Sequence, residues 1–196
     1  MKLNAQQLRD LEEQKVKGEI REIKRNPMFF ILENIYDTYN IGGLFRLADA
    51  LAIEKIYLVG DTEIQPNSRI KKASIGTYKV VPWEYKKTVK DAIDDFSRTY
   101  NIERKTNKTF QVPNSKFQVI AVEQHKTSID YRKANYSLPL ALIFGNESYG
   151  VLPETLKLVD QIVEIPMFGV NKSLNVIVSA AIVSYWAMSA ISSFKT

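Results

Sequence analysis

The hydrophobic positions of this 196-residue chain fall into two alternating patterns. Short apolar runs of strand length occupy residues 28–32, 55–59, 80–82, 117–122, 140–144 and 162–165. Apolar residues at helical spacing occupy residues 44–51, 88–98, 154–159 and 173–194. Strands that alternate with helices in this way are typical of an α/β fold whose mostly parallel sheet is flanked by helices. We predict this fold, as a single domain, for residues 27–196.

Two polar stretches lie outside this alternation. Residues 3–25 carry mixed charge with few apolar positions, and Asn26-Pro27 separates them from the first strand. We therefore expect residues 1–26 to form a helical arm. Residues 101–116 are polar, contain Pro113, and are predicted to form a loop.

Composition excludes several kinds of site. The chain has no cysteine and a single histidine, His125, so disulfides and cysteine-based zinc sites are excluded, and neither a metal cluster nor a Ser-His-Asp triad is expected. The amino terminus lacks the apolar stretch of a signal peptide, and the apolar run at residues 174–191 is interrupted by Asn and Ser. We therefore expect a soluble, cytoplasmic protein that binds no metal and no membrane.

The positive charge is concentrated in one segment. The net charge is +5, whereas residues 67–116 contain 12 Lys/Arg against 5 Asp/Glu, so the remainder of the chain is net acidic. Basic side chains with aromatic rings nearby suit the phosphates and unstacked bases of RNA. The candidate RNA-binding residues are Arg69, Lys71, Lys72, Lys86 and Lys87. A basic face that contacts only water is the alternative.

Residues with chemical potential follow three of the predicted strands. After the first strand, residues 34–46 contain Asn40, two adjacent glycines and Arg46, and the glycines allow the backbone to approach another group closely. The segment lacks the G-x-G-x-x-G spacing of dinucleotide sites and the G-K-[ST] of P-loops. Alternatively, Asn40 caps a helix and Arg46 pairs with Asp37 or Asp49 on the surface.

The second and third segments follow strands nearer the carboxyl end. Residues 145–150, Gly-Asn-Glu-Ser-Tyr-Gly, come after an entirely apolar strand, and ligands bind at such strand ends in open α/β sheets. In residues 165–176, Ser173 is predicted to cap the long helix, and Asn175 to lie in its first turn, where a buried side chain needs a partner. Alternatively, Glu147 only caps a helix and the third segment serves capping and packing.

Together the three segments resemble the sequence motifs of the SpoU (TrmH-like) branch of the SPOUT RNA methyltransferases, over roughly residues 29–194. The residues that carry the resemblance, in the family's order and spacing, are Asn40, Gly42 and Arg46; Gly145, Glu147 and Gly150; and Ile165, Pro166, Met167, Gly169, Ser173, Leu174, Asn175 and Val176. One departure is Thr38, where the family usually has proline, and it removes no reacting group.

The resemblance implies an enzyme that transfers a methyl group from S-adenosylmethionine to a ribose 2′-hydroxyl of structured RNA. It also implies a deep trefoil knot at the C-terminal end and a homodimer. Arg46 is implied as the central catalytic residue. Because a guanidinium stays protonated, we interpret its role as gripping a phosphate and polarising the hydroxyl. The proton then leaves to that phosphate or to a transiently neutral Arg46.

The resemblance further assigns supporting residues. The implied catalytic partners of Arg46 are Asn40, Glu147, Ser173 and Asn175. The implied cofactor-binding residues are Val122, Gly145, Ile165 and Leu174.

Three alternatives stay open at this point. The target can be transfer RNA or ribosomal RNA, and the lack of a separate amino-terminal RNA-binding domain favours transfer RNA. A knotted RNA-binding protein without methyltransferase activity is the alternative function, although binding alone would not need Asn40, Arg46, Glu147 and Asn175 together. A nucleotide-binding α/β protein is a third possibility, against which the missing glycine fingerprint argues.

Overall fold

The computed structural model describes residues 4, 6, 7, 23–100 and 117–193. Most of the predicted amino-terminal arm and the whole predicted loop at residues 101–116 lie outside them. The strands from residue 26 onward are β1 (Asn26–Glu33), β2 (Ile53–Val59), β3 (Trp83–Lys86), β4 (Gln118–Val122), β5 (Ile129–Asp130), β6 (Leu140–Phe144) and β7 (Gln161–Glu164). The helices over the same part of the chain are α1 (Thr38–Ala50), α2 (Ser68–Ser74), α3 (Val89–Thr99), α4 (Pro153–Leu156) and α5 (Val176–Ser193).

The strands form one sheet in the order β3-β2-β1-β6-β4-β7-β5, and each pair of neighbouring strands is parallel. β1 lies inside the sheet between β2 and β6, and its side chains alternate between two cores. Phe30 and Leu32 belong to one core, whereas Phe29 and Ile31 belong to the other. A strand buried on both faces has a continuous apolar sequence. The predicted α/β class with a mostly parallel sheet is therefore confirmed.

Helices cover both faces of this sheet. α1 and α5 contribute Leu44 and Val183 to the core that contains Phe30, whereas α3 contributes Phe96 to the core that contains Phe29. The ring centroids of Phe29 and Phe96 are 4.3 Å apart, and truncating such a buried ring costs about 3–5 kcal/mol. No helix among the described residues is long and apolar enough to cross a membrane.

The third strand differs from the sequence-based prediction. It comprises Trp83–Lys86 rather than residues 80–82, because the N–H groups of Val80 and Val81 both donate to the carbonyl of Thr77 and continue a helical turn. β5 was not predicted, since a strand of two residues leaves no alternating pattern.

Two helices also begin at other residues than predicted. The helix predicted from residue 44 begins earlier, at Thr38. Asp37 caps it, because its carboxylate accepts a hydrogen bond of 2.8 Å from the Tyr39 N–H. Asn40 therefore lies inside α1. Ser173 does not cap α5. Asn175 does so, because its Oδ1 accepts from the Ile177 N–H at 2.8 Å.

Candidate active site

The three segments singled out in the sequence meet at the carboxyl ends of the central strands. Leu32 of β1 lies opposite Phe144 of β6, Phe144 lies opposite Val122 of β4, and Val122 lies opposite Val163 of β7. These four strands therefore end at a common level. The segments that follow β1, β6 and β7 emerge side by side there, at the edge where parallel α/β sheets place their ligands.

A chain of hydrogen bonds joins one residue from each segment. The Asn40 Nδ2 donates to Glu147 Oε1 at 2.8 Å, and Asn175 Nδ2 donates to Asn40 Oδ1 at 2.9 Å. Asn175 continues the chain into α5, since its own Oδ1 caps that helix. Glu147 lies 107 positions and Asn175 lies 135 positions after Asn40 in the sequence, and the two hydrogen bonds hold all three together. We refer to Glu147, Asn40 and Asn175 as the amide relay.

Asn40 occupies the buried centre of the amide relay. Its side chain is polar and the residue is only 4% exposed, so both ends of the amide need partners. Glu147 supplies an acceptor and Asn175 a donor, which fixes the orientation of the amide. Asn175 itself is exposed, so the condition under which it was expected to need a partner does not hold, although its side chain bonds to Asn40.

Two glycines let the neighbouring helices approach α1 next to the amide relay. A Cβ on Gly42 would lie 2.4 Å from the Ala73 Cβ and 2.8 Å from the Ser74 backbone nitrogen of α2. A Cβ on Gly43 would lie 2.4 Å from Cδ1 of Ile177 in α5. A larger residue at Gly42 would meet the backbone of α2 and push that helix away from α1, so Gly42 sets their spacing. A larger residue at Gly43 would force the Ile177 side chain to move.

Arg46 lies on the exposed face of α1, one turn beyond the two glycines. It makes no hydrogen bond or ion pair with any described residue. The two carboxylates considered as surface partners of Arg46 have other roles. Asp37 caps α1. The carboxyl of Asp49 interacts with Arg25, and burial raises its pKa. The guanidinium is therefore available to another molecule.

Ser173 does not join the amide relay. It is exposed, and its backbone N–H donates to Asn171 Oδ1 at 3.4 Å. Within the described part of the chain, its hydroxyl makes no hydrogen bond.

The candidate cofactor-binding residues lie around the same strand ends. Val122 ends β4, Gly145 directly follows β6, and Ile165 directly follows β7, while Leu174 is partly exposed just before α5. A Cβ on Gly145 would lie 2.2 Å from the backbone carbon of Gly150, so this position admits no side chain. The apolar side chains of Val122, Ile165 and Leu174 and the backbone of Gly145 thus lie at one edge of the sheet.

The segment between β7 and α5 leaves its backbone available. Residues 165–174 form no backbone–backbone hydrogen bond with the rest of the described chain. Phe168 is 92% exposed, and Val170 is fully exposed. The Lys172 carbonyl accepts from Gln124 Nε2, and the Ser173 N–H donates to Asn171 Oδ1. The other backbone groups of this segment and its apolar surface are available to a ligand or another chain.

Two carboxylates that the sequence reading missed hold the loop of the second motif. Glu33 is buried, and its side chain accepts from the Leu152 N–H at 2.9 Å and from the Thr155 hydroxyl. Burial raises the pKa of Glu33, although both of these hydrogen bonds oppose the shift. Glu123 accepts from the Val151 N–H at 2.8 Å. The signal in the sequence was their position, since each is a charged residue at the end of an apolar strand.

A further amide fixes the start of this loop. Asn146 is buried, and its Nδ2 donates to the Asn34 carbonyl at 2.7 Å. Its Oδ1 accepts from the Ser148 N–H at 2.7 Å. The hydroxyl of Tyr149, in the same loop, lies 3.1 Å from the hydroxyl of Tyr36. This hydrogen bond raises the pKa of Tyr149 to about 12.

The five candidate RNA-binding residues divide into two groups. Arg69, Lys71, Lys72 and Lys87 are exposed. Lys86 is only 16% exposed at its side chain. It donates to Glu84, and its Nζ lies 3.2 Å from Asp95 Oδ1. The hydrogen bond to Glu84 raises the pKa of Lys86, which holds its charge in place. Lys86 is therefore occupied within the protein and is not included among the RNA contacts proposed below.

Comparison with known proteins places these features in a family. Residues 27–185 match the SpoU rRNA Methylase family. The chain is 30% identical over 165 residues to a tRNA (guanosine(18)-2′-O)-methyltransferase of Thermus thermophilus, covering 84% of this chain and 76% of that protein. It is 27% identical over 164 residues to the 23S rRNA (guanosine-2′-O-)-methyltransferase RlmB of Haemophilus influenzae, covering 84% and 60%.

Solved structures agree with these relatives. The A. aeolicus TrmH/SpoU tRNA modifying enzyme superposes with a TM-score of 0.71 at 25% identity, over 92% of this chain and 84% of that one. An AdoMet-bound rRNA methyltransferase from Sinorhizobium meliloti gives 0.69 at 25% identity, over 87% of this chain and 59% of that one. The chain therefore spans about three-fifths of that second protein. Because the family match covers most of its residues, the chain belongs to the SpoU rRNA methylase family, which confirms the resemblance carried by its three motifs.

Proposed function

We propose that this protein transfers a methyl group from S-adenosylmethionine to the 2′-hydroxyl of a ribose in structured RNA. The observation that carries the proposal is the amide relay, which joins all three family motifs beside an unpaired Arg46. The relay does not serve the interior of either hydrophobic core. Its position at the strand ends supports a role in binding and aligning reactants.

The residues of the chain would align the hydroxyl and manage its proton. When bound, S-adenosylmethionine supplies an electrophilic methyl group. Arg46 holds the phosphate next to the reacting ribose, and its guanidinium polarises the 2′-hydroxyl. The hydroxyl oxygen would form the new bond to the methyl carbon as the methyl–sulfur bond breaks, which leaves S-adenosylhomocysteine. The hydroxyl proton would pass to the phosphate or to a transiently neutral Arg46. The amide relay keeps α1, and with it Arg46, in register with the loops of the second and third motifs.

The carboxyl ends of β4, β6 and β7 suit the adenosine part of the cofactor. Val122, Ile165 and Leu174 present apolar surface. Gly145 lets the Gly150 backbone pack directly against the end of β6, which holds the loop of the second motif at this edge. Most backbone groups of residues 165–174 have no partner among the described residues, apart from the Lys172 carbonyl and the Ser173 N–H, and they would offer the hydrogen bonds that an adenine edge needs. We place the cofactor there, in a deep trefoil knot formed by the C-terminal part of the chain. The insertion of β6 between β1 and β4 supports such threading.

Transfer RNA is the favoured substrate. This chain matches 72% and 76% of the length of two transfer RNA enzymes, but only 60% and 59% of the length of two ribosomal RNA enzymes. Arg69, Lys71, Lys72 and Lys87 would contact the phosphates of the RNA.

A second copy of the chain would complete the enzyme. The outward face of α5 exposes Val178, Tyr185 and Trp186, and the preceding segment exposes Phe168 and Val170. Exposed apolar surface of this kind marks an interface. Ala180 and Ala187 of the same helix are fully buried, so the small residues of α5 serve packing within the subunit.

Two measurements test the proposal. Calorimetric titration with S-adenosylhomocysteine is expected to give saturable binding at about one molecule per subunit. Transfer of a radiolabelled methyl group to unfractionated transfer RNA, followed by mapping of alkali-resistant ribose linkages, is expected to show 2′-O-methylation. A folded protein that binds no S-adenosylhomocysteine and labels neither transfer nor ribosomal RNA would contradict it.

A further inference from the structure

A cleft beside the amino-terminal end of α1 is not used by the chemistry described above. It has a volume of about 510 Å³ and lies between the start of α1 and the segment that leads into α2. The side chains used in the argument below are Tyr36, Asp37, Tyr39, Glu63 and Arg69. All five are exposed, so the cleft is open to a large ligand.

Tyr39 ties this cleft to the reacting centre. Seven residues separate Tyr39 from Arg46, which is close to two full turns of α1, so both side chains leave the helix on the same exposed face. The rise over seven residues is about 10 Å. A strand whose reacting ribose lies at Arg46 can therefore place a neighbouring base in the cleft.

The cleft offers ring faces held in place. Tyr39 is 59% exposed, and no described aromatic ring stacks upon it, so its face is open to a ligand. Tyr36 is fixed by its hydrogen bond to Tyr149, which belongs to the loop of the second motif. Ring faces of this kind bind unstacked bases of single-stranded RNA.

The charges in the cleft distinguish a base from a phosphate. Asp37 and Glu63 outnumber Arg69, so a phosphate alone would meet net negative charge. Carboxylates instead accept hydrogen bonds from the amino groups of cytosine and adenine. The Glu63 side chain makes no hydrogen bond with the described residues, and Asp37 uses only its Oδ1 to cap α1. The lone arginine remains to hold the phosphate that follows the base.

From these contacts we infer that the cleft is a base-binding subsite for a nucleotide next to the methylated ribose, which stacks on Tyr39 and is read by Glu63. This inference rests on the proposed function and adds the recognition of the neighbouring nucleotide to it. It makes Tyr39 and Glu63 substrate-binding residues that determine sequence preference.

The first test compares Tyr39→Ala with Tyr39→Phe in steady-state methylation of unfractionated transfer RNA. Loss of a stacked base is expected to raise KM for RNA about 5- to 100-fold in Tyr39→Ala and to leave kcat within about 2-fold. Tyr39→Phe retains the ring and is expected to behave as wild type. Tyr85→Ala removes another exposed tyrosine, 45% exposed against 59% for Tyr39, from β3 and serves as the control.

The second test uses transcripts in which the nucleotides on either side of the mapped target are changed one at a time. Wild type is expected to disfavour uridine at one of these positions, because its O4 faces the Glu63 carboxylate. Glu63→Gln can donate to O4 and is expected to remove that preference.

The outcomes separate this inference from the proposed function. Unchanged KM in Tyr39→Ala, or the same loss in Tyr39→Phe, would overturn the stacking role while wild type still methylates RNA. No neighbour preference in wild type would overturn the reading role of Glu63. Failure of wild type to bind S-adenosylhomocysteine or to label any RNA would instead count against the proposed function. Unchanged melting temperature and S-adenosylhomocysteine affinity in the variants show that their folding is intact.

Discussion

Two polar clusters of this molecule both join acidic side chains to nitrogen donors, but they differ in charge and in arrangement. The amide relay joins Asn40, Glu147 and Asn175 from three distant segments at the carboxyl ends of the central strands. The second cluster, which we call the edge ion-pair cluster, consists of Lys55, Glu84, Lys86 and Asp95 on β2, β3 and α3. Both contain carboxylates and nitrogen donors at hydrogen-bonding distance.

The edge ion-pair cluster satisfies its own charges. Lys55 Nζ lies 3.1 Å from Glu84 Oε2, and Asp95 also accepts a hydrogen bond of 2.9 Å from the Tyr57 hydroxyl. Each charge has an opposite partner within the cluster, so nothing there awaits a ligand. It attaches β3, the outermost strand on its side, to α3.

The amide relay, in contrast, stands beside an arginine that it does not neutralise. Arg46 makes no hydrogen bond or ion pair with the described residues. The hydrogen bonds of the relay fix the helix that carries Arg46. The comparison shows that a functional site is recognised by a charged side chain, here Arg46, that has no partner of opposite charge within the described part of the protein. Abundance of charge does not identify it, since the denser charge lies in the edge cluster.

The largest effect is expected from removing the unpaired group. Arg46→Ala should lower the rate of methyl transfer about 10²- to 10³-fold, because it removes a charge that acts on the transition state. Binding of S-adenosylhomocysteine and the melting temperature should remain unchanged, since Arg46 contacts no described residue. Single-turnover methylation and calorimetry measure the two quantities.

Arg98→Ala is the matched control for that comparison. Arg98 is an exposed helical arginine whose NH2 lies 3.5 Å from Asp95 Oδ1, at the edge ion-pair cluster. Its loss should change methylation by less than about 2-fold. Normal turnover in Arg46→Ala would remove Arg46 from the mechanism.

The next largest effect is expected at the centre of the amide relay. Asn40→Ala leaves Glu147 and Asn175 without their partner, so methylation should fall about 10- to 100-fold and the free energy of unfolding by about 1–3 kcal/mol. Glu147→Gln keeps an acceptor oxygen for Asn40 and should lose less than a third of that stability change. Urea unfolding and single-turnover rates test both. Equal losses in the two variants would show that the charge of Glu147, rather than its acceptor oxygen, sustains the relay.

A smaller effect, confined to stability, is expected in the edge ion-pair cluster. Burial works to raise the pKa of Asp95, but hydrogen bonds from Tyr57 and Lys86 outweigh it and hold the pKa below the usual 3.8. A lowered pKa stabilises the fold above the unfolded-state pKa, and this contribution is lost as the pH falls through the folded-state pKa. Asp95→Asn should therefore cost about 1 kcal/mol at pH 7. The loss should shrink below about pH 3.

The measurement is urea unfolding between pH 2 and pH 7, with methylation at pH 7 as the second readout. Asparagine retains an acceptor oxygen for Tyr57, so the substitution isolates the charge. A pH-independent difference between wild type and Asp95→Asn, or a large loss of methylation, would contradict the division between the two clusters.

Sequence reading went furthest where a pattern repeats. β6 was predicted with the boundaries that the structure has, because five apolar residues lie between turn signals. Helix starts were less predictable. Both Asp37 and Asn40 are good capping residues, and the structure has Asp37 as the cap, so α1 begins at Thr38.

The site could be predicted as a set of residues but not as a geometry. The motif spacing identified Asn40, Glu147 and Asn175. No local pattern shows that their side chains form hydrogen bonds across more than 100 positions of the sequence. The anchoring carboxylates Glu33 and Glu123 were missed because their partners are backbone N–H groups, which have no sequence signature. Long-range pairing of this kind depends on the strand order, which becomes visible only in the fold.

The smallest effect concerns adjacent lysines that the sequence cannot distinguish. Lys87 is exposed, so Lys87→Ala should weaken RNA binding about 2- to 5-fold and reduce the slope of log affinity against log salt by about 0.7–0.9, the loss of one phosphate contact. Lys86 is held by Glu84 and Asp95, so Lys86→Ala should leave the slope unchanged and lower stability by about 1 kcal/mol. Fluorescence anisotropy with transfer RNA from 50 to 300 mM salt measures the slopes. If Lys86→Ala lowered the slope and Lys87→Ala did not, burial and pairing would be the wrong criterion for separating structural lysines from those that bind RNA.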